Sequence, residues 1–142
     1  MTEFSIVLVD DSLADAMLFA EAVKQTAHSI PLTRFEDGQS ALDYLRDKRT
    51  VLPDLVLLDL NMPGLSGHDV LYEIRSDRRL KRVPVIVLTS SSNMDDVARS
   101  YDEHANAYVV KPNGFAGFVD VVNGLAKFWF TVVTMPRTPD VD

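Results

Sequence analysis

Three aspartates, a threonine and a lysine stand where short apolar runs stop. FSIVLV leads into Asp10 and Asp11, LVLL into Asp59, PVIVL into Thr89 and AYVV into Lys111. Runs that stay apolar without alternation suit strands buried on both faces. Taken singly, each aspartate reads as a turn or cap residue, Thr89 as the opening of the loop TSSS, and Lys111-Pro112 as ordinary surface. Collected at one edge of a sheet, the same residues become a reaction site. Clustered carboxylates repel one another unless a cation lies among them. Hard oxygen donors of this kind suit Mg²⁺, completed by water and a phosphate. Asp59 is then a nucleophile able to attack phosphorus and form an acyl phosphate. Mg²⁺ neutralises charge on the transferring group, while Lys111 and the Thr89 hydroxyl bind its oxygens.

The elements between these residues must bring them together. Five apolar runs, 4–9, 30–35, 55–58, 84–88 and 107–110, are the expected strands. Helical stripes lie between them: Leu13, Met17, Ala20 and Val23; Val70, Leu71 and Ile74; Val97, Tyr101 and Ala105; and a long one from Phe115 through Phe118, Val119, Val122, Leu125 and Ala126 to Trp129. A shorter helix is expected over 39–47, after the Asp37-Gly38 turn. Ser12 with Asp15, Ser66 with Asp69 and Ser92 with Asp95 have the spacing of helix-starting caps. Alternating strands and helices imply one doubly wound (βα)5 α/β domain, a five-stranded parallel sheet with right-handed crossovers. Ligands of such sheets bind beyond the carboxyl ends of the strands, and the order 2-1-3-4-5 makes the first and third strands neighbours at the switch point.

Composition narrows the class. Twenty-one acidic against 14 basic residues give a net charge of −7, which argues against nucleic-acid or anionic-membrane binding. Cysteine is absent, so disulfides and thiolate chemistry are excluded. The first residues reach Asp10 and Asp11 too soon for a signal peptide, and no apolar run approaches the ~20 residues of a membrane span. A soluble, cytoplasmic protein is expected. His28, His68 and His104 lack metal-ligand spacing. The cluster Arg75, Arg78, Arg79, Lys81 and Arg82 reads as a solvated helix end.

VLVDDS, LLDLNMPGLSG, VIVLTSSS and AYVVKP together resemble the receiver domain of two-component response regulators, of the flavodoxin-like, chemotaxis-regulator type. The resemblance implies that Asp59 accepts a phosphoryl group from the phosphohistidine of a histidine kinase. It implies that Asp11, Asp59 and the backbone carbonyl of Asn61 hold Mg²⁺, with Asp10 in support. Thr89 and Tyr108 match the switch pair, Lys111 the lysine of the motif, and Asn61 and Ser91 the positions associated with hydrolysis rate. Asn113 departs from the pattern, since many receivers carry Phe after Lys-Pro, and this affects only the start of the last helix. The segment FWFTVVTMP, with LDLNMPG and AYVVKP, is similar to receivers that partner phytochrome-type photoreceptor kinases.

Two other classes compete. A magnesium-dependent phosphatase of the haloacid-dehalogenase type needs a second aspartate two residues after its nucleophile, where this chain has Asn61. A flavin or nucleotide module needs a Gly- or Ser/Thr-rich cradle after the first strand, where this chain has Asp10-Asp11-Ser12-Leu13. The receiver is expected over 1–129, followed by an extension, 130–142, apolar at first and then mobile. Val121, Phe128, Phe130, Val132, Val133 and Met135 lie off the last helical stripe or beyond it, and are expected to form a homodimer interface. The opposing reading is a tail folded back on its own domain.

Overall fold

β-Branched and leucine-rich runs form the strands, and the polar segments between them carry the helix caps. A computed structural model describes residues 4–26 and 28–136. β1 (Ile6–Val9), α1 (Leu13–Gln25), β2 (Leu32–Phe35), α2 (Gly38–Arg46), β3 (Leu55–Leu58), α3 (Gly67–Ser76), β4 (Val85–Thr89), α4 (Met94–Asp102), β5 (Ala107–Val110) and α5 (Phe115–Leu125) alternate along the chain. The five strands form one parallel sheet in the order β2-β1-β3-β4-β5, as expected from the sequence. A π-helical turn, Ala126–Phe130, extends α5 across the expected boundary at 129/130. Residues 137–142, where a mobile end was expected, lie outside the described residues.

Successive strand residues point to opposite faces. Ile6, Leu8, Leu55, Leu57, Ile86 and Leu88 therefore pack with Phe19 and Phe118 of α1 and α5. Val7, Val9, Val56, Leu58, Val85 and Val87 pack with Leu42, Leu45, Leu71 and Ile74 of α2 and α3. The three central strands are buried throughout, whereas the edge strands β2 and β5 are half-buried.

Several local expectations need correction. In α1 the buried residues are Ala16, Phe19, Ala22 and Val23, while Leu13 and Met17 are 61% and 59% exposed. Both stripes fit a helical period; the observed one turns Phe19 onto the sheet and puts Asp15, one turn earlier, on the same side. Of the expected α4 stripe, Ala105 just past the helix end is buried in the core, Val97 is half-buried and Tyr101 is 49% exposed. The inward residue of α4 itself is Ser100, with Asp96 one turn before and Glu103 one turn after, so this helix meets the domain through a polar face. Its cap is Asn93, whose side chain accepts the Asp95 N–H at 2.8 Å, rather than Ser92. The arginine cluster is also not simply solvated. Arg75 donates to the carbonyls of His104, Val83 and Lys81 at 3.0, 2.8 and 3.2 Å, and Arg79 to those of Leu45 and Thr50, both at 2.6 Å. These forks close off carbonyls at loop ends that no ladder satisfies.

Among the described residues, no helix is long and apolar enough to cross a membrane.

Candidate functional site

The ladder carries the acids to the edge. The Asp10 N–H continues the β1–β2 pairing onto the Phe35 carbonyl at 3.0 Å, and the Asp59 N–H continues β3 onto the Val9 carbonyl at 2.9 Å. Adjacent, in-register strands thus end in adjacent carboxylates. Asp10, Asp11 and Asp59 each offer an oxygen within 4.8 Å of the others. Asp10 and Asp59 are buried and Asp11 is exposed, so the cluster opens to solvent on one side. Gly67 makes this packing possible: a Cβ there would lie 2.2 Å from the Asp59 carbonyl oxygen, so only glycine lets the first turn of α3 sit against the Asp59 backbone.

Lys111 arrives from the end of β5 with its side chain only 6% exposed. Its ammonium lies 2.8 Å from Asp10 Oδ2, 2.8 Å from Asp15 Oδ2 and 3.3 Å from Asp59 Oδ2. Burial works to lower the lysine pKa, but hydrogen bonds to Asp10 and Asp15 and the charges of Asp10 and Asp59 outweigh it. The ammonium is held well above its ordinary range. Burial pushes the Asp10 carboxyl up, opposed by the Lys111 hydrogen bond and the Ser12 N–H, which donates to Asp10 Oδ1 at 2.9 Å.

Thr89 is fully buried, and its Oγ1 has no hydrogen-bond partner among the described residues. An unsatisfied buried hydroxyl is costly unless a ligand oxygen engages it. Tyr108 is half-buried on β5 and donates its hydroxyl to the Ser91 carbonyl at 2.8 Å. Burial pushes the Tyr108 phenol up; the Ser91 hydrogen bond opposes this, and the Asp96 and Asp59 charges add to it. The Ser91 hydroxyl is taken by Asp96 Oδ2 at 2.6 Å, which ties it into the start of α4. Asn61 is exposed beside the acids, and its N–H reaches Asp59 Oδ1 at 3.4 Å. α5 begins at Phe115 behind Gly114, whose φ of 85° sets the turn without a side-chain cap, so the Asn113 departure leaves the helix intact.

Three participants were not legible in the sequence. Asp15, read as a cap residue, holds Lys111. Arg34 on β2 donates two hydrogen bonds to the Asp10 carbonyl, at 3.1 and 2.9 Å, and so fixes the turn that carries both N-terminal acids. His68, which lacks metal-ligand spacing, is buried, with Nδ1 2.5 Å from Glu103 and Nε2 3.8 Å from Asp96. With Glu103 it pins α4 to α3. No spacing rule announces contacts between residues this far apart in the chain.

Of the apolar residues assigned to a dimer interface, Val121 and Phe130 are half-buried against the chain's own core, and the Phe130 ring lies 4.0 Å from that of Phe4. Phe128 and Val132 are 50% and 66% exposed. Val133 and Met135 are half-buried.

Known proteins resemble the chain along most of its length. The response regulator receiver domain matches residues 6–123. Response regulator Rcp1 of Synechocystis sp. is 40% identical over 135 residues, covering 92% of each chain, and its Mn²⁺-bound crystal structure superposes with a TM-score of 0.85 over 94% of this chain and 99% of that one. The phosphorylated cyanobacterial phytochrome response regulator RcpA, 39% identical, gives a TM-score of 0.90 over 96% of this chain and 100% of that one. A probable methanogenesis regulatory protein, FilR2 of Methanothrix harundinacea, is also 40% identical, over 129 residues, with 89% of this chain and 83% of that protein covered. The chain belongs to the response regulator receiver family.

Proposed function

We propose that the protein is a cytoplasmic phosphoacceptor in a two-component pathway, taking a phosphoryl group on Asp59 from a histidine kinase. The observation that carries this is the strand-end cluster: a buried Asp59 between two further carboxylates, an ammonium 3.3 Å away and a buried hydroxyl without a partner among the described residues. In the transfer, an Asp59 oxygen attacks phosphorus as the P–N bond of the phosphohistidine breaks. The imidazole nitrogen keeps the electron pair and takes up a proton, and a mixed anhydride remains on Asp59. Lys111 and Thr89 then donate to two of the new phosphoryl oxygens. Asp10, Asp11, Asp59 and the Asn61 carbonyl would hold a divalent cation, Mg²⁺ in the cell. The hard carboxylate donors and the solvent-open side at Asp11 fit such an ion, and the Mn²⁺-bound relative supports it. When bound, the cation neutralises charge on the transferring group. The protein is a signalling receiver and not an enzyme acting on a separate substrate.

Filling the Thr89 contact pulls the β4–α4 loop inward and breaks the Tyr108–Ser91 hydrogen bond, so the output surface lies on α4, β5 and α5. Asn61 and Ser91 set the phosphoryl lifetime; Ser91 acts only after leaving Asp96. A phytochrome-type kinase is the favoured donor, because RcpA and the tail segment FWFTVVTMP both point to it. The receiver with its C-terminal extension forms a homodimer through the exposed Phe128 and Val132. Sedimentation of wild type against Phe128→Glu/Val132→Glu tests this: the dimer is lost in the double variant, and a wild type monomeric at high micromolar concentration refutes it. The donor is tested by mixing the protein with radiolabelled, phosphorylated histidine kinases. Label moves to wild type and not to Asp59→Asn, fastest from a phytochrome-type donor. Equal transfer to Asp59→Asn removes the phosphoacceptor assignment.

A further inference from the structure

α1 and α3 both open with Ser-x-x-Asp, yet only one of them closes the reciprocal cap. At α3, Ser66 Oγ accepts the Asp69 N–H at 3.2 Å and Asp69 Oδ2 accepts the Ser66 N–H at 3.0 Å. At α1, Ser12 Oγ accepts the Asp15 N–H at 3.2 Å, but the Ser12 N–H turns to Asp10 Oδ1 at 2.9 Å. Asp10 has taken over the return bond of the cap. The Asp15 carboxylate, released from that duty, reaches across the sheet edge to Lys111 Nζ at 2.8 Å.

A lysine ammonium has three donors. Here they face three carboxylates, Asp10, Asp15 and Asp59, with Asp59 the most distant at 3.3 Å. Asp15 is not one of the acids that can share a cation, so metal binding does not explain its placement. Nor does helix capping, since Asp69 shows what a purely capping carboxylate does.

We infer that Asp15 is a positioning residue for Lys111, fixing the ammonium so that its remaining N–H faces Asp59 and the phosphoryl group that arrives there. The inference rests on the reading of Asp59 as phosphoacceptor. Asp10 and Asp15 grip the ammonium from two sides and remove the freedom of its four-carbon stem. Without Asp15 one donor loses its anion, and the ammonium is free to settle on Asp10 instead. Misplacing a group that must meet the transition state weakens catalysis even when the group is still present.

The test is the rate of phosphoryl uptake from acetyl phosphate at saturating Mg²⁺, followed by intact mass. It compares wild type, Asp15→Ala, Asp15→Asn, Lys111→Ala and the Lys111→Ala/Asp15→Ala double variant, each first shown to be folded by circular dichroism. Asp15→Ala slows uptake on the order of tenfold. Asp15→Asn, which keeps an acceptor oxygen and the first turn of α1, recovers most of that loss. The double variant is no slower than Lys111→Ala alone, because Asp15 acts only through the lysine. Uptake at the wild-type rate in Asp15→Ala overturns the inference. So does faster uptake in both Asp15 variants, the result expected if the residue merely adds negative charge near the incoming phosphate. A double variant slowed by the product of the two single effects also overturns it. A wild-type chain that takes up nothing removes the Asp59 reading and this inference with it, which separates the two failures.

Discussion

At the amino ends of the strands, polar groups are finished. Asp54 accepts the Ser5 N–H at 2.9 Å, and the Asn106 side-chain oxygen takes both the Val85 N–H and an Arg75 N–H, at 2.8 and 2.9 Å. Arg75 spends its other donors on three backbone carbonyls. At the carboxyl ends the same chemistry is left open. Three carboxylates face one another, one ammonium is divided among three acids, and a fully buried threonine hydroxyl has no partner among the described residues. The first edge holds the fold together. The second stores unsatisfied interactions that a cation and a phosphoryl group can complete. Mutations at the two edges should therefore move stability and activity in different directions.

The largest effect on stability is expected at the finished edge. Arg75→Ala strands the part-buried carbonyl of Val83 and should destabilise the protein by about 1–3 kcal/mol, the cost of one buried group left unpaired. The urea midpoint reads this, and phosphoryl uptake by the folded fraction stays unchanged. A midpoint equal to wild type would mean that water replaces the guanidinium without loss.

At the open edge the sign reverses. Asp11→Asn removes one of three like charges and should raise stability without divalent cations by up to about 1 kcal/mol. It should also abolish most of the gain in melting temperature that Mg²⁺ gives wild type by mass action. Equal Mg²⁺ gains in the two proteins would break the comparison.

The smallest effect is expected between the edges. Tyr108→Phe deletes one hydrogen bond, to the Ser91 carbonyl, worth about 1 kcal/mol or less. The folded phenol titrates above the ordinary tyrosine value of about 10, first because it is buried. Its contribution is therefore fully present below that value and is lost as pH rises through the folded-state value. Alkaline absorbance titration of wild type should contain a late-ionising tyrosine that is missing in Tyr108→Phe. Superimposable titrations, once corrected for one chromophore, would place the ring in solvent.

The finished edge was almost illegible in the sequence, and the open edge was largely legible. Strand-end residues announce themselves because a charge after LVLL or FSIVLV contradicts its neighbours, and the strand order follows from alternation. Arg75, Arg79 and His68 carry no such contradiction. Their partners lie on other elements, and an arginine in a basic cluster looks solvated until its carbonyls are seen. The phases of α1 and α4 are hidden in the sequence for a related reason. Leu13 and Met17 are more hydrophobic than Ala16 and Ala22, but the helix is oriented by Phe19 and by the Asp15–Lys111 contact. In α4 the inward face is Asp96, Ser100 and Glu103, and an apolar-period rule cannot find a helix held by polar groups.

The central claim is that Asp59 becomes phosphorylated in a cation-dependent reaction. Intact-mass measurement after incubation with acetyl phosphate tests it most directly. Wild type with Mg²⁺ should gain the mass of one phosphoryl group, and the gain should be absent in Asp59→Asn and in wild type with the cation chelated. A wild type that gains nothing with Mg²⁺ present, or an Asp59→Asn variant that gains the same mass, would contradict the account.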